Sequence, residues 1–397
     1  MISDVSPRST DLHYLNLLEA ADLVQRGELS PVQLTEHLLA RIEAVDPRLH
    51  SYARTMPELA LKEAVAVKDC CYTAGVRTVN GTEIHADFKP DYDATVVRKL
   101  RGAGAIILGK LQQTEGAFAE HHWTVVPPEN PWDPDLWSGA SSSGSGVATA
   151  AGLCFGALGT DVGGSIRIPC AVNAVTGVKG TWGRVSRYRV FENTASLDHI
   201  GPMTRSAADA AAMTGVLAGA DPNDPTTAPD EVPDYLGLSV AGLKGLRVGF
   251  DPVHTSQDVD AATVAMLASV VSALGGLGAS LREVKMPDCT EVVEGWQRYS
   301  ATEMAVAPEA TYPSQKNRYG PVLSQMLDLG RAQTGRDYQK VLIQRLNYRG
   351  RLMTLFQEVD LLVIPVFCDA APSKAKMASL GKDQDDLIKL TPFYRTL

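Results

Sequence analysis

Residues 139–167 read GASSSGSGVATAAGLCFGALGTDVGGSIR. Taken apart, the two ends of this stretch are bland. Ser141-Ser142-Ser143-Gly144-Ser145 has the composition of a flexible linker, and Gly163-Gly164-Ser165 suits a tight turn at the end of a strand. The middle argues against the linker. Val147 to Cys154 carries no charge and mostly small side chains, which suits a tightly packed buried helix, and Trp132 and Trp137 lie just upstream of the serines. A serine cluster bounded by core on one side and tryptophans on the other belongs to folded structure.

Ser165 raises a chemical question. A serine hydroxyl attacks a carbonyl only if one group removes its proton and another receives the charge developing on the carbonyl oxygen. The two glycines before Ser165 let consecutive backbone N–H groups converge on one point, which would serve that charge. A proton acceptor is harder to find. None of the eight histidines, His13, His37, His50, His85, His121, His122, His199 and His254, sits in a run resembling a hydrolase motif. A lysine serves if burial or neighbouring positive charge brings its pKa down several units from about 10.4. Lys68 follows Ala64-Val65-Ala66-Val67, a short buried strand by its pattern. A lysine entering a core there needs partners; the alternative is an edge position from which it snorkels to solvent, paired with Asp69. Ser141 would join lysine and nucleophile.

In these residues the chain resembles the amidase signature family. Its second signature element is intact as Gly159-Thr160-Asp161-Val162-Gly163-Gly164-Ser165-Ile166-Arg167-Ile168-Pro169. Ser141 stands 24 positions before Ser165, and Lys68 stands 73 positions before Ser141. The resemblance continues through Asn130-Pro131-Trp132-Asp133, Gly177-Val178-Lys179, Gly183-Arg184-Val185-Ser186-Arg187 and Ser196-Leu197-Asp198-His199-Ile200-Gly201-Pro202-Met203.

The resemblance implies an α/β fold with a mixed central β-sheet flanked by helices on both faces. One domain would span 1–397, with a helical N-terminal part over 1–50. It implies hydrolysis of a carbon–nitrogen bond through an acyl-enzyme on Ser165, with Ser141 as bridging serine after a cis peptide bond and Lys68 as general base and later acid. The N–H groups of Val162, Gly163, Gly164 and Ser165 would form the oxyanion hole. Ser142 would support the lysine network, and Asp161 and Arg167 would brace the loop. No cofactor and no metal are expected. The expected substrate is a small amide, aryl amide, ester or carbamate, the last making the enzyme a urethanase. A second copy of the chain is an open partner. Two other readings stand beside this one: the glutaminase subunit of a glutamine-dependent amidotransferase, and a non-catalytic binding protein of the same fold.

The chain departs from the family pattern in places. Ala140 and Ser143 stand where the cluster usually has glycine, and Gly180 replaces a common proline. The segment Lys62-Glu63-Ala64 runs into the lysine strand where relatives have a longer entry, and the chain stops at Leu397 after Thr391-Pro392-Phe393-Tyr394-Arg395-Thr396 where relatives continue. An exposed apolar edge is the expected consequence.

Composition agrees with a large globular chain. Of 397 residues, 45% are hydrophobic and 21% charged, and no uncharged run reaches the roughly 18 residues of a membrane span. A net charge of −9 argues against nucleic-acid binding through a general basic surface. No secretory signal is visible at Met1-Ile2-Ser3-Asp4, so a cytoplasmic location is expected. Cys70, Cys71, Cys154, Cys170, Cys289 and Cys368 have no metal or disulfide spacing.

Local signals place the elements. Ser30-Pro31-Val32-Gln33 predicts a helix start, with Ser30 as cap and Gln33 completing a capping box, and Leu34, Leu38, Ile42 and Val45 form its apolar stripe. Asp93 is expected to cap a short helix through Leu100, followed by a buried strand over Ala105–Leu108. Leu246–Phe250, Asp260–Leu274 and Ala279–Val284 read as strand, helix, strand. Gly219 to Tyr235 reads as a surface loop or a linker, Leu361–Pro365 as a late central strand, and Ser373-Lys374-Ala375-Lys376 as a polar loop. Gly104–Lys110 nearly spells a phosphate-binding loop, but Leu111 replaces its Ser/Thr and the interior reads as strand. An α/β-hydrolase elbow fails because Arg167 holds its last glycine position.

Overall fold

The computed structural model describes residues 12–56, 63–237, 242–370 and 372–379. Lys62 and the stretches at Met1–Asp4 and Thr391–Leu397 lie outside them. The chain forms two compact units, one of Met1–Leu236 with Gln315–Leu323, the other of Gly237–Ser314 with Ser324–Leu397.

The first unit is built on six strands, β1 (Tyr52–Thr55), β2 (Glu63–Lys68), β3 (Ala105–Leu111), β4 (Gly156–Asp161), β5 (Thr176–Gly177) and β6 (His199–Thr204), in the order β1-β3-β2-β4-β6-β5. The sheet is mixed: β2 runs parallel to β3 and β4, and the other pairs are antiparallel. Strand side chains point alternately to opposite faces, so an apolar run such as AVAVK needs cover on both. Val65, Val67, Ile107 and Leu158 meet Val96, Val97 and Leu100 of α3 (Thr95–Gly102) and Met213 and Leu217 of α6 (Ala207–Leu217). Ala66, Ile106, Leu108 and Ala157 meet Leu34, Leu38 and Ile42 of α2 (Pro31–Leu49) and Val147 and Ala148 of α4 (Ser143–Ala150). The expected sheet with helices on both faces is therefore present, preceded by α1 (Leu17–Gln25) and α2.

Ser30 caps α2, its side chain accepting the Gln33 N–H at 3.5 Å; the reciprocal half of the box is absent from the described hydrogen bonds. Asp93 is not the cap of α3. That position is Ala94, while Asp93 accepts the Ala74 N–H at 2.8 Å and pairs with Arg101 at 2.5 Å, because a partner across the loop outcompetes the local cap. The stretch from Gly219 to Tyr235 is no linker. Asp221 in it accepts the hydroxyls of Thr95 and Ser186, and the Arg184 guanidinium donates to Tyr235 and to the carbonyls of Asp230 and Glu231.

The second unit holds the parallel strands β7 (Arg247–Phe250), β8 (Ser280–Glu283) and β9 (Leu361–Val363), with α7 (Ala261–Gly276) between the first two, capped by Asp260 through the N–H groups of Ala262 and Thr263. The order is β8-β7-β9. Among the described residues Leu361–Val363 is thus an edge strand and not a central one: an apolar LLV run fits either place, and β7 already has both neighbours. Ser373–Lys376 is not a loop either, since Ser373 Oγ accepts the Lys376 N–H at 3.1 Å and starts a short helix, α11 (Lys374–Ser379). Met266 and Leu277 around α7, and Leu346 and Met353 on a long helix, α10 (Gly335–Leu355), are exposed apolar side chains of this unit. The remaining described helices are α5 (Arg167–Val172), α8 (Thr290–Met304) and α9 (Pro321–Ala332), and no helix among the described residues is long and apolar enough to cross a membrane.

Candidate active site

The end of β2 delivers Lys68 into the core at 0% exposure. Its Nζ lies 2.7 Å from Ser141 Oγ and 2.7 Å from Thr160 Oγ1. The snorkelling alternative fails, because Asp69 is committed elsewhere, to Arg54 at 2.6 Å with Lys110 at 4.0 Å. Burial holds the Lys68 amine down to about 8, against the opposing pull of Cys70, Cys71, Asp161 and Asp198. Lys110, the lysine of the near-phosphate motif, is a second buried amine; it ends up inside strand β3, bonded to the Cys71 carbonyl and the hydroxyls of Thr73 and Thr78.

The serine cluster forms the tight entry into α4. The Ala140–Ser141 peptide is cis. Gly139 could not be replaced as Ala140 has been, for its φ is 85° and an added Cβ would sit 2.7 Å from Pro169 Cα. Ala140 is only half-buried, so its methyl group finds room. Two buried hydroxyls stitch the cluster to β4: Ser142 Oγ donates to the Thr160 carbonyl and accepts the Thr160 N–H, both at 3.3 Å, and Ser145 Oγ donates to the Leu158 carbonyl at 2.8 Å. Ser142 thereby fixes the backbone of the very residue whose hydroxyl holds Lys68.

At the C-terminal end of β4, next to Thr160, Asp161 is fully buried and organises the loop that carries Ser165. Its carboxylate accepts the N–H groups of Gly164 at 2.8 Å and Ile166 at 3.1 Å, and Arg167 forks onto it at 2.9 and 2.8 Å. Burial alone would raise this carboxyl; the Arg167 hydrogen bond and charge, together with the N–H groups of Gly164 and Ile166, outweigh it and hold the pKa at about 2. Of the four N–H groups expected to face an oxyanion, one is engaged within the loop. The Gly164 N–H is spent on Asp161 and is not free for an oxyanion; Gly164, with φ 124°, is the hinge that lets the loop turn back onto the carboxylate. Val162, Gly163 and Ser165 are half-buried, and their N–H groups have no hydrogen-bond acceptor among the described residues. The Ser165 hydroxyl likewise makes no hydrogen bond to a described residue, so of the two contacts the expected relay needs, the structure holds Lys68–Ser141 and not Ser141–Ser165. Apo sites commonly tighten such contacts only with substrate bound.

Sequence reading missed Thr160 as a lysine partner, although the residue stood inside the signature; nothing in the string says where its hydroxyl turns. It also missed His121, whose Nε2 shares a 3.0 Å hydrogen bond with Ser143 Oγ, and Asp198, which accepts the N–H groups of Asn193 and Thr194. Burial raises the Asp198 carboxyl to about 7.

Asp161→Ala should be the costliest structural change in the loop. It removes the carboxylate that the Arg167 guanidinium and the N–H groups of Gly164, Ile166 and Arg167 share, a loss of about 3–5 kcal/mol for a broken buried pair, read as a lower urea midpoint. The folded-state pKa lies below the ordinary carboxylate value, so this advantage is complete above about pH 4 and decays as pH falls through about 2. The stability gap between wild type and variant should therefore narrow as pH falls from about 4 through about 2; a gap that stays constant over that range would show that the charge is not what the loop needs.

A family model described as Amidase matches residues 33–396. The chain is 44% identical over 405 residues to "Putative amidase AmiD" of Mycobacterium tuberculosis, covering 96% of this chain and 85% of that protein. It is 38% identical over 301 residues to a glutamyl-tRNA(Gln) amidotransferase subunit of Chloroflexus aurantiacus, covering 70% of this chain and 62% of that one. Among solved structures, a crystal structure of an amidase superposes with a TM-score of 0.80 at 29% identity, over 96% of this chain and 90% of the other.

Proposed function

We propose, since this chain belongs to the amidase family and is an amide hydrolase, that it cleaves its substrate's carbon–nitrogen bond through an acyl-enzyme on Ser165, with Ser141 and Lys68 as the proton relay. The observation that carries the reading is the buried contact of Lys68 Nζ with Ser141 Oγ at 2.7 Å. A neutral amine has two protons and one lone pair. With Thr160 Oγ1 accepting one N–H, the lone pair is available to the Ser141 hydroxyl proton. Ser141 in turn takes the proton of Ser165 as its oxygen bonds to the substrate carbonyl carbon. The negative charge that forms on the carbonyl oxygen falls to the N–H groups of Val162, Gly163 and Ser165, while Asp161 keeps the loop in shape. The proton then returns from Lys68 through Ser141 to the leaving nitrogen, the carbon–nitrogen bond breaks, and the amine departs. Water repeats the sequence on the acyl-enzyme and frees the acid and Ser165.

The substrate class we favour is a small neutral amide, an aryl amide or a carbamate, taken by a catalytic centre whose groups are all uncharged at the moment of attack. A second reading, the glutaminase subunit of an amidotransferase, rests on the 38% identity to the Chloroflexus protein; it would need partner subunits. Assaying amides, esters, carbamates and glutamine with the wild type and Ser165→Ala separates the two. Turnover of simple amides by the isolated chain, lost in the variant, supports the first; turnover of glutamine alone, and only with added partner subunits, supports the second. Absence of serine-directed fluorophosphonate labelling at Ser165 would leave only a binding protein of the same fold.

A further inference from the structure

The bridging serine is held between two supports of different kinds. On the β4 side the hydroxyls of Ser142 and Ser145 are tied to backbone groups of a central strand. On the opposite side the cluster leans on the irregular segment that follows β3. There the Thr114 N–H donates to the Ser141 carbonyl at 3.2 Å, the Gly144 N–H donates to the Gln112 carbonyl at 3.0 Å, and His121 Nε2 meets Ser143 Oγ at 3.0 Å. Three cluster residues, 141, 143 and 144, are thus fastened to residues 112, 114 and 121, and the His121–Ser143 bond is the one tether in that set made by side chains. Ser143 is fully buried and is the first residue of α4, two positions after Ser141, whose hydroxyl meets Lys68.

We propose that His121 is a positioning residue for the bridging serine, acting through Ser143 to hold Ser141 between Lys68 and Ser165. The proposal rests on the acyl-enzyme reading above. Burial keeps the imidazole neutral, with its pKa lowered to about 4, so the tether is a hydrogen bond between uncharged groups across the working range of the enzyme.

The test measures the rate of fluorophosphonate labelling at Ser165, and kcat and KM on 4-nitroacetanilide, for the wild type, His121→Ala, His121→Gln, Ser143→Gly and the double variant His121→Ala with Ser143→Gly. A glutamine keeps a hydrogen-bonding group near the Nε2 position. We expect His121→Ala and Ser143→Gly each to slow labelling and kcat by about tenfold with KM little changed, the double variant to be no slower than either, and His121→Gln to recover most of the loss. The acid limb of the kcat profile should stay where it is, since the histidine moves no proton. Unchanged rates in both single variants, effects that multiply in the double variant, or loss of the acid limb in His121→Ala would each overturn the proposal. Should His121→Ala fail to fold, Ser143→Gly against His121→Gln still decides it, because the first removes the bond from the other end and the second preserves it. Wild-type labelling that survives Ser165→Ala would instead sink the acyl-enzyme reading itself.

Discussion

Ser165→Ala should lower kcat by a factor on the order of 10^5 and abolish fluorophosphonate labelling while leaving the fold intact. The size follows from the role: with the attacking oxygen gone, only binding and the oxyanion-facing N–H groups remain to assist a water molecule, as in other serine hydrolases stripped of their nucleophile. The intact fold follows from the surroundings. Ser165 is half-buried and its hydroxyl makes no hydrogen bond to a described residue, so its removal leaves no buried partner unsatisfied, and the stability change should stay within about 0.5 kcal/mol. Steady-state turnover beside a urea titration checks both halves. The pair of outcomes is what separates this position from Asp161, four residues earlier in the same loop, where the order reverses and stability carries the damage. A variant retaining a tenth of wild-type turnover would sink the nucleophile assignment.

How far the string of residues reached can be judged at particular positions. The apolar run of AVAVK put Lys68 at the end of a buried strand, and the glycines around Ser165 marked a loop able to turn its backbone outward. Both are local signals, carried by residue type and period. What stayed illegible depends on partners distant in sequence. Asp93 looks like a cap until Ala74 and Arg101 claim its carboxylate. The LLV run of β9 is the same whether it lies in the middle of a sheet or at its edge. Two glycines promised N–H groups for an oxyanion, yet one of them serves Asp161, because a buried carboxylate takes every donor within reach. Thr160 and His121 are the same case inside the site. Their roles are set by where β4 and the segment after β3 bring them, and a hydroxyl or an imidazole carries no sign of that in the sequence.

Lys68→Ala should reduce kcat near neutral pH by about 10^3 to 10^4, the range of a lost general base whose relay serves both half-reactions. Lys68→Arg should be nearly as poor. It restores the length and positive charge, but a guanidinium does not give up its proton in any useful range, so the arginine variant tests basicity apart from size and charge. The pH dependence follows from burial. The working form is the neutral amine, and with the pKa lowered to about 8 roughly a tenth of the enzyme holds it at pH 7, against about one part in 2,500 for an ordinary lysine. Wild-type kcat/KM should therefore climb close to tenfold per pH unit below about 8 and level off above it, and the limb should vanish from whatever activity Lys68→Ala retains. Stability moves with it. Between about 8 and the ordinary lysine value the unfolded chain binds a proton that the folded chain does not, so unfolding becomes harder as pH rises through that window. Lys68→Met, which keeps the hydrocarbon and removes the titration, should lack this rise, and its advantage over the wild type should be greatest below pH 8 and shrink as pH climbs. A wild-type limb near pH 6 that survives in Lys68→Ala would assign the base to another group, and a Lys68→Met curve parallel to the wild type across the window would mean that the buried amine carries no such electrostatic cost.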